Sequence, residues 1–221
     1  MTTIASYADL QNAVTDYLAR DQDTTLIARI PTFIQLFEAK MNRKLFVRQM
    51  ESRATAVTDP TADEPEYIAL PSDFQSMRRI RLTAGTQSGE PTYLQFKSNQ
   101  QMDDFRTLTA NVAGQPQFFT IFGSEIELAP TPAAVYTVEM IYRQNIPALA
   151  SNSTNWLLTL APDLYLYGAL LEAAPYMKND ARVETWGALM AAALSDLNDL
   201  GMMSTFNAGP MQVRSAGLNV W

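Results

Sequence analysis

The sequence predicts an α+β fold in which terminal α-helices form a bundle and an antiparallel β-sheet region is inserted between them. Three observations carry this. Apolar residues recur at helical spacing toward both ends, the middle breaks into short alternating runs bounded by Pro, Gly, Asp and Ser, and no segment repeats another. The expected division is a bundle from residues 1–45 and 156–206, a β-rich insertion at 46–155, and an extended C-terminal segment at 207–221.

Ser6 is placed to cap the first helix, with Asp9 as the acidic partner of a capping box, and Tyr7, Leu10, Val14, Tyr17 and Leu18 share one face. The polar stretch 20–23 breaks this helix. A short turn then leads to Pro31, which suits a helix start, and Ile30, Phe33, Ile34, Phe37, Met41 and Leu45 repeat at i, i+3, i+4 spacing. Gln35, Lys40, Asn42 and Arg43 lie on the other face.

From Phe46 to Tyr142 the chain reads mainly as strands, expected at 49–57, 67–69, 77–83, 92–97, 117–122, 125–128 and 135–142. The acidic, Pro-containing stretch 58–66 separates the first two. The sharpest local signal is Phe119-Thr-Ile-Phe-Gly-Ser-Glu-Ile-Glu-Leu128, where Gly123-Ser124 suits a two-residue hairpin turn. That register sets Phe119 and Ile121 against Leu128 and Ile126, with Glu125 and Glu127 on the opposite face. Ser98 is placed to cap a short helix over 99–108, packed by Met102 and Phe105.

Helix returns after Trp156. Pro162 marks another helix start, and from Leu164 to Met177 the only charged residue is Glu172, so this helix has almost no wet face. Such a helix is buried in its own subunit or shared with a neighbour, and its candidate interface residues are Tyr165, Tyr167, Glu172 and Tyr176. Asn179-Asp180 is expected to cap a last helix with the stripe Val183, Trp186, Met190, Leu194 and Leu197, ending around 201–204.

Composition narrows function mainly by exclusion. The 221 residues include no Cys and no His, which removes disulfides, thiolate nucleophiles, Cys-based metal sites, the usual general base and the commonest metal ligand. The residues point to no cofactor. A net charge of −7 and a pI near 4.6 oppose a sequence-reading nucleic-acid domain. No basic, apolar leader opens the chain, and no apolar run reaches the roughly 18 residues of a membrane helix. A soluble product without a classical secretion signal and without a membrane partner is expected. Charged residues make up 18% of the chain, below the roughly 25% usual for a soluble domain, which points to extensive interfaces.

The carboxylates offer the remaining chemistry. A two-carboxylate hydrolase needs its pair about 5–9.5 Å apart in a cleft. Asp103 and Asp104 diverge as neighbours on a helix, Asp196 and Asp199 fit a solvated helix face, and Asp59, Asp63, Glu64 and Glu66 lack the spacing of a calcium loop. Arg78-Arg79-Ile80-Arg81 is the densest basic spot. On a strand Arg79 and Arg81 share a side while Arg78 points with Ile80 and Leu82, so Arg79 and Arg81 are candidates for ion pairing across a sheet or between subunits. Phosphate loops, nucleophile elbows and basic-aromatic platforms are missing from the sequence. The balance favours a non-enzymatic structural protein.

Several segments, in order, resemble the head-to-tail adaptors of tailed bacteriophages, the tail tubular A-like and podophage-type adaptor family. They are Ser6-Tyr-Ala-Asp-Leu10 with Tyr17-Leu-Ala-Arg20, Ile30-Pro-Thr-Phe-Ile-Gln-Leu-Phe-Glu-Ala-Lys-Met-Asn-Arg43, Leu70-Pro-Ser-Asp-Phe74, Gly114-Gln-Pro116 and Ile126-Glu-Leu-Ala-Pro-Thr-Pro132. Tyr136 to Tyr142 with Pro147 and Leu149, Leu164-Tyr-Leu-Tyr-Gly-Ala-Leu-Leu-Glu-Ala-Ala174, and Met177-Lys-Asn-Asp-Ala-Arg182 continue the likeness, which covers roughly residues 4–205.

The resemblance implies a virion protein of the neck, made in the host bacterial cytoplasm, forming a twelve-subunit homo-oligomeric ring beneath the portal. It implies a channel through which DNA passes without sequence-specific binding, and a platform for downstream tail or nozzle proteins. In such adaptors the C-terminal segment grips the portal, which makes Gly209, Pro210, Met211, Val213, Arg214, Leu218, Val220 and Trp221 the candidate portal-docking residues. The competing expectations are a neighbouring neck or stopper position and, from a different class, a carboxylate-dependent peptidoglycan hydrolase.

Overall fold

A computed structural model describes residues 3–20, 22–86, 89–110, 112–177 and 181–206, with side chains as far as Gly201. The candidate portal-docking residues 209–221 and the expected caps Asn179 and Asp180 lie outside the described residues. The chain runs through α1 (Tyr7–Leu18), α2 (Thr24–Ile27) and α3 (Ile30–Lys44), then β1 (Glu51–Val57), β2 (Tyr67–Ala69), β3 (Phe74–Ala84), β4 (Thr92–Tyr93) and β5 (Gln95–Phe96). It continues through α4 (Asn99–Leu108), β6 (Phe118–Phe122), β7 (Glu125–Ala129), β8 (Thr137–Gln144), α5 (Trp156–Leu160), α6 (Pro162–Met177) and α7 (Val183–Phe206). Helices and antiparallel sheets together make the fold α+β. Contacts divide it into a helical unit, Met1–Gln49 with Ile146–Trp221, and a strand unit, Met50–Asn145.

In the helical unit the Ser6 hydroxyl accepts from the Asp9 amide while the Asp9 carboxylate accepts from the Ser6 amide, closing the expected capping box. Asp23 caps α2, a single helical turn where the sequence predicts a plain turn. Alpha-helix α6 is the hub, packed by α1, α3, α5 and α7. Four neighbours bury Leu164, Tyr165, Leu166, Ala169, Leu170 and Ala173, which accounts for its lack of a wet face inside a single subunit. The closest approach is at Gly168, where an added Cβ would overlap the Phe37 ring on α3. The stretch 146–155, expected with the strands, belongs here: Ile146 and Leu149 are buried and their amides donate to Asn42 and Glu38 of α3.

The strand unit stacks two four-stranded sheets, in the orders β1-β8-β3-β4 and β2-β7-β6-β5, over a common apolar core. Ile80, Leu82, Val138, Met140 and Tyr142 come from the first sheet, and Ile68, Phe119, Ile126 and Leu128 from the second. The hairpin has the expected register, Phe119 opposite Leu128 and Ile121 opposite Ile126, with Gly123 at φ +59° in its turn. Helix α4 matches its expected span and its Ser98 cap, to which Gln101 adds a reciprocal bond, and its Phe105 ring stands edge-on to Phe118 at 5.0 Å.

Two departures have local causes. The strand expected at 92–97 is split because Leu94 crosses from one sheet to the other: Tyr93 pairs with Arg81, and Gln95 pairs in parallel with Phe118. One parallel pair therefore interrupts the antiparallel pattern. Strand β3 also has a register shift between Met77 and Arg79, which rotates Arg78 away from Ile80 and Leu82 and into an ion pair with Glu51.

Gly168→Ala is expected to lower the stability of the helical unit by about 1–3 kcal/mol through overpacking against Phe37, although alanine is the better helix former by roughly 1 kcal/mol. Thermal unfolding reads the effect, and an unchanged midpoint would show that the Phe37 ring yields at no cost.

Candidate interaction surfaces

The face of the first sheet turned away from the core concentrates charge. Ladder alternation puts Arg53 of β1, Glu139 and Arg143 of β8, and Arg79 and Arg81 of β3 on this side. The Glu139 carboxylate, 3% exposed, accepts 2.6 Å bonds from the Nε atoms of Arg53 and Arg81, one per oxygen, and Arg79 lies 3.9 Å away. A carboxylate on the middle strand is thereby gripped from both neighbouring strands.

The bond from Arg81 is the largest influence on Glu139 and, with Arg53, holds its carboxyl below the ordinary 4.5 against the opposing effect of burial. The same bond pushes the Arg81 guanidinium up. Arg78 reaches Glu51 at 3.0 Å. Arg143 is nearly buried, and desolvation lowers its pKa. Five arginines thus stand with two glutamates on one sheet face of an acidic chain.

Beside this face a cleft of about 640 Å³ opens between the two sheets, lined by Phe74, Met77, Ile80, Tyr93, Phe96 and Phe119, with Arg78 and Arg79 also on its walls. It exists because β4 pairs with β3 only at Arg81 and Leu82, so β3 from Phe74 to Arg79 has a ladder partner on one side only. Tyr93 and Phe96 are 57% and 64% exposed, and the Arg79 guanidinium sits 5.8 Å from the centre of the Tyr93 ring.

The expected interface residues of α6 separate by burial. Tyr165 is 0% exposed, so it is a core residue and is removed from the set able to touch a neighbour. Its hydroxyl donates to Glu38 at 3.0 Å and accepts from the Asn155 amide at 2.7 Å, while Glu38 also accepts from the Leu149 amide at 2.9 Å. Burial pushes the Glu38 carboxyl up, against the pull of the Leu149 and Tyr165 bonds, and burial together with the Glu38 charge pushes the Tyr165 phenol up. Tyr167 is half-buried and lines a shallow depression with Tyr17, Pro162 and Leu166. Glu172 pairs with Lys40 at 2.9 Å, and Tyr176 is exposed with its ring tilted against Phe33.

Sequence reasoning missed Glu38, Asn155, Glu139 and the cleft. Glu139 carried a signal, an acid alone in the apolar run Val138 to Tyr142 beside a basic strand, whereas the cleft depends on where β4 ends. Among the described residues, no group of three or more His, Cys, Asp and Glu could hold a metal ion. Among the same residues, no helix is long and apolar enough to cross a membrane.

The family model described as SU10 adaptor protein matches residues 5–214. No curated protein matches the chain.

Glu139→Gln keeps the side-chain shape but removes the charge that draws Arg53 and Arg81 inward, and is expected to cost about 1–3 kcal/mol at pH 7. Glu139 has a lowered pKa in the fold, so its contribution is whole above the ordinary 4.5 and is lost as the pH falls through the folded value. Urea unfolding should therefore show the gap between the two proteins narrowing below pH 4.5, and a gap independent of pH would contradict this assignment.

Proposed function

Because this chain belongs to the SU10 adaptor protein family of bacteriophages, we propose that it is a head-to-tail adaptor that forms a twelve-subunit ring beneath the portal. The observation that carries this reading is the family match over nearly the whole chain, 5–214, which spans both compact units. In this role the protein sits in the virion neck, extends the DNA channel and offers a platform for tail or nozzle proteins. Its work is mechanical, with no catalysis.

Charge and surface chemistry support the reading. A net charge of −7 suits a channel wall that DNA slides past, since phosphates are held by clustered cations and released by their absence. A ring subunit needs two different, complementary surfaces. Tyr167, Glu172, Tyr176, Arg79 and Arg81 are the proposed contributors to them. The segment bearing Gly209, Pro210, Met211, Val213, Arg214, Leu218, Val220 and Trp221 is the proposed portal-docking element, with Trp221 as its anchor.

Mixing the purified chain with the portal ring and imaging the product by electron microscopy tests the proposal. A second ring beneath the portal is expected, and deleting residues 209–221 should weaken attachment by about tenfold or more. A portal that acquires no added ring would overturn the reading, and unchanged attachment of the shortened chain would overturn the docking role of the segment.

A further inference from the structure

Within the strand unit Arg78 pairs with Glu51 and Arg79 lies over the Tyr93 ring, yet both guanidinium groups stay exposed beside an open apolar cleft. We infer that this edge of the strand unit receives the acidic loop 58–66 of an adjacent copy of the same chain, making the strand units contact one another head to tail. The inference rests on the ring reading and names one of its contacts.

Sheet order supplies the first reason. Strands β1 and β2 are the edges of their sheets on one side of the sandwich, and β4 and β5 are the edges on the other. The loop 58–66 joins β1 to β2, so it lies on the side opposite the cleft, which opens where β4 and β5 leave β3 and β6 short of partners. Two unlike surfaces on opposite edges of one unit are what a heterologous, ring-closing contact requires.

Charge supplies the second. The loop carries Asp59, Asp63, Glu64 and Glu66 and no basic residue. Asp63 and Glu64 are exposed, and the Asp59 carboxylate is held ionised by the Thr61 hydroxyl and amide, which also fix the turn. The cleft edge offers Arg78 and Arg79, both exposed and on a sheet face where arginines outnumber glutamates. The third reason is apolar. Tyr93 and Phe96 are exposed beside those arginines, and aromatic residues and Arg are the types enriched at protein interfaces. Pro60, Ala62 and Pro65 of the loop supply compact apolar surface for such a cleft, and the ordered turn spares it the cost of folding on contact.

The chain has no cysteine, so introduced ones report without background. Two full-length variants, Ala62→Cys at the loop tip and Ser76→Cys in the cleft, are assembled on the portal separately and as a mixture, then treated with a short bis-maleimide. The mixture should give cross-linked dimers and each variant alone should not. Adding Arg78→Glu to the cleft variant should cut the dimer yield by about tenfold, and adding Glu64→Arg to the loop variant should recover much of it. No cross-link in the mixture, or equal cross-linking of either variant alone, overturns the inference. A visible ring without the cross-link condemns this contact and leaves the ring reading standing, whereas a portal without an added ring removes both. If Arg78→Glu abolished retention of duplex DNA and left the cross-link unchanged, the arginine edge would serve phosphates and the inference would fall.

Discussion

The helical unit is closed where the chain is received back at Ile146 after the strand unit. Helix α3 presents Asn42 and, one turn earlier, Glu38, and these accept the amides of Ile146 and Leu149. Glu38 then takes the Tyr165 hydroxyl, and Asn155 ties that hydroxyl to the Pro147 carbonyl and to the first turn of α5. A buried carboxylate with only neutral donors is expensive to ionise, yet removing it would strand the Leu149 amide and the Tyr165 hydroxyl in an apolar interior. The arrangement fixes which way the returning chain turns before α6 enters the bundle.

Glu38 and Glu139 are both shielded acids with opposite electrostatics. Glu38 is surrounded by neutral donors, so burial dominates and its pKa rises, while Glu139 faces guanidinium groups and its pKa falls. As the pH drops through the raised value the helical unit gains stability from Glu38, and as it drops through the lowered value the strand unit loses that of Glu139. The two units are thus held by interior carboxylates that respond to acid in opposite directions.

What could be read from the sequence followed from short-range rules. Ser6 with Asp9, Ser98, Pro162 and the Gly123 hairpin each announce a structure made within a few residues of themselves. What could not be read depended on distant partners. The burial of Tyr165 is decided by α3 and by Asn155, the turn-over of Arg78 by a register shift against β8, and the split at Leu94 by the place of both sheets. Apolar helix α6 illustrates the difference: its pattern correctly excluded a solvated face, but its own subunit, through α1, α3, α5 and α7, provides the cover.

The surfaces left over are an acidic loop at one edge of the strand unit and an aromatic, arginine-bearing cleft at the other. The ion pairs of Arg78 and Arg79 within the subunit leave both guanidinium groups exposed, and a protein that repeated itself around an axis would have a use for both surfaces. A reconstruction of the neck of the phage particle that carries this chain addresses the adaptor reading most directly. The expected map has twelve copies in one closed ring immediately below the portal, with DNA passing through its centre. Density for the chain in any other part of the particle, or in a copy that touches no portal subunit, would contradict it.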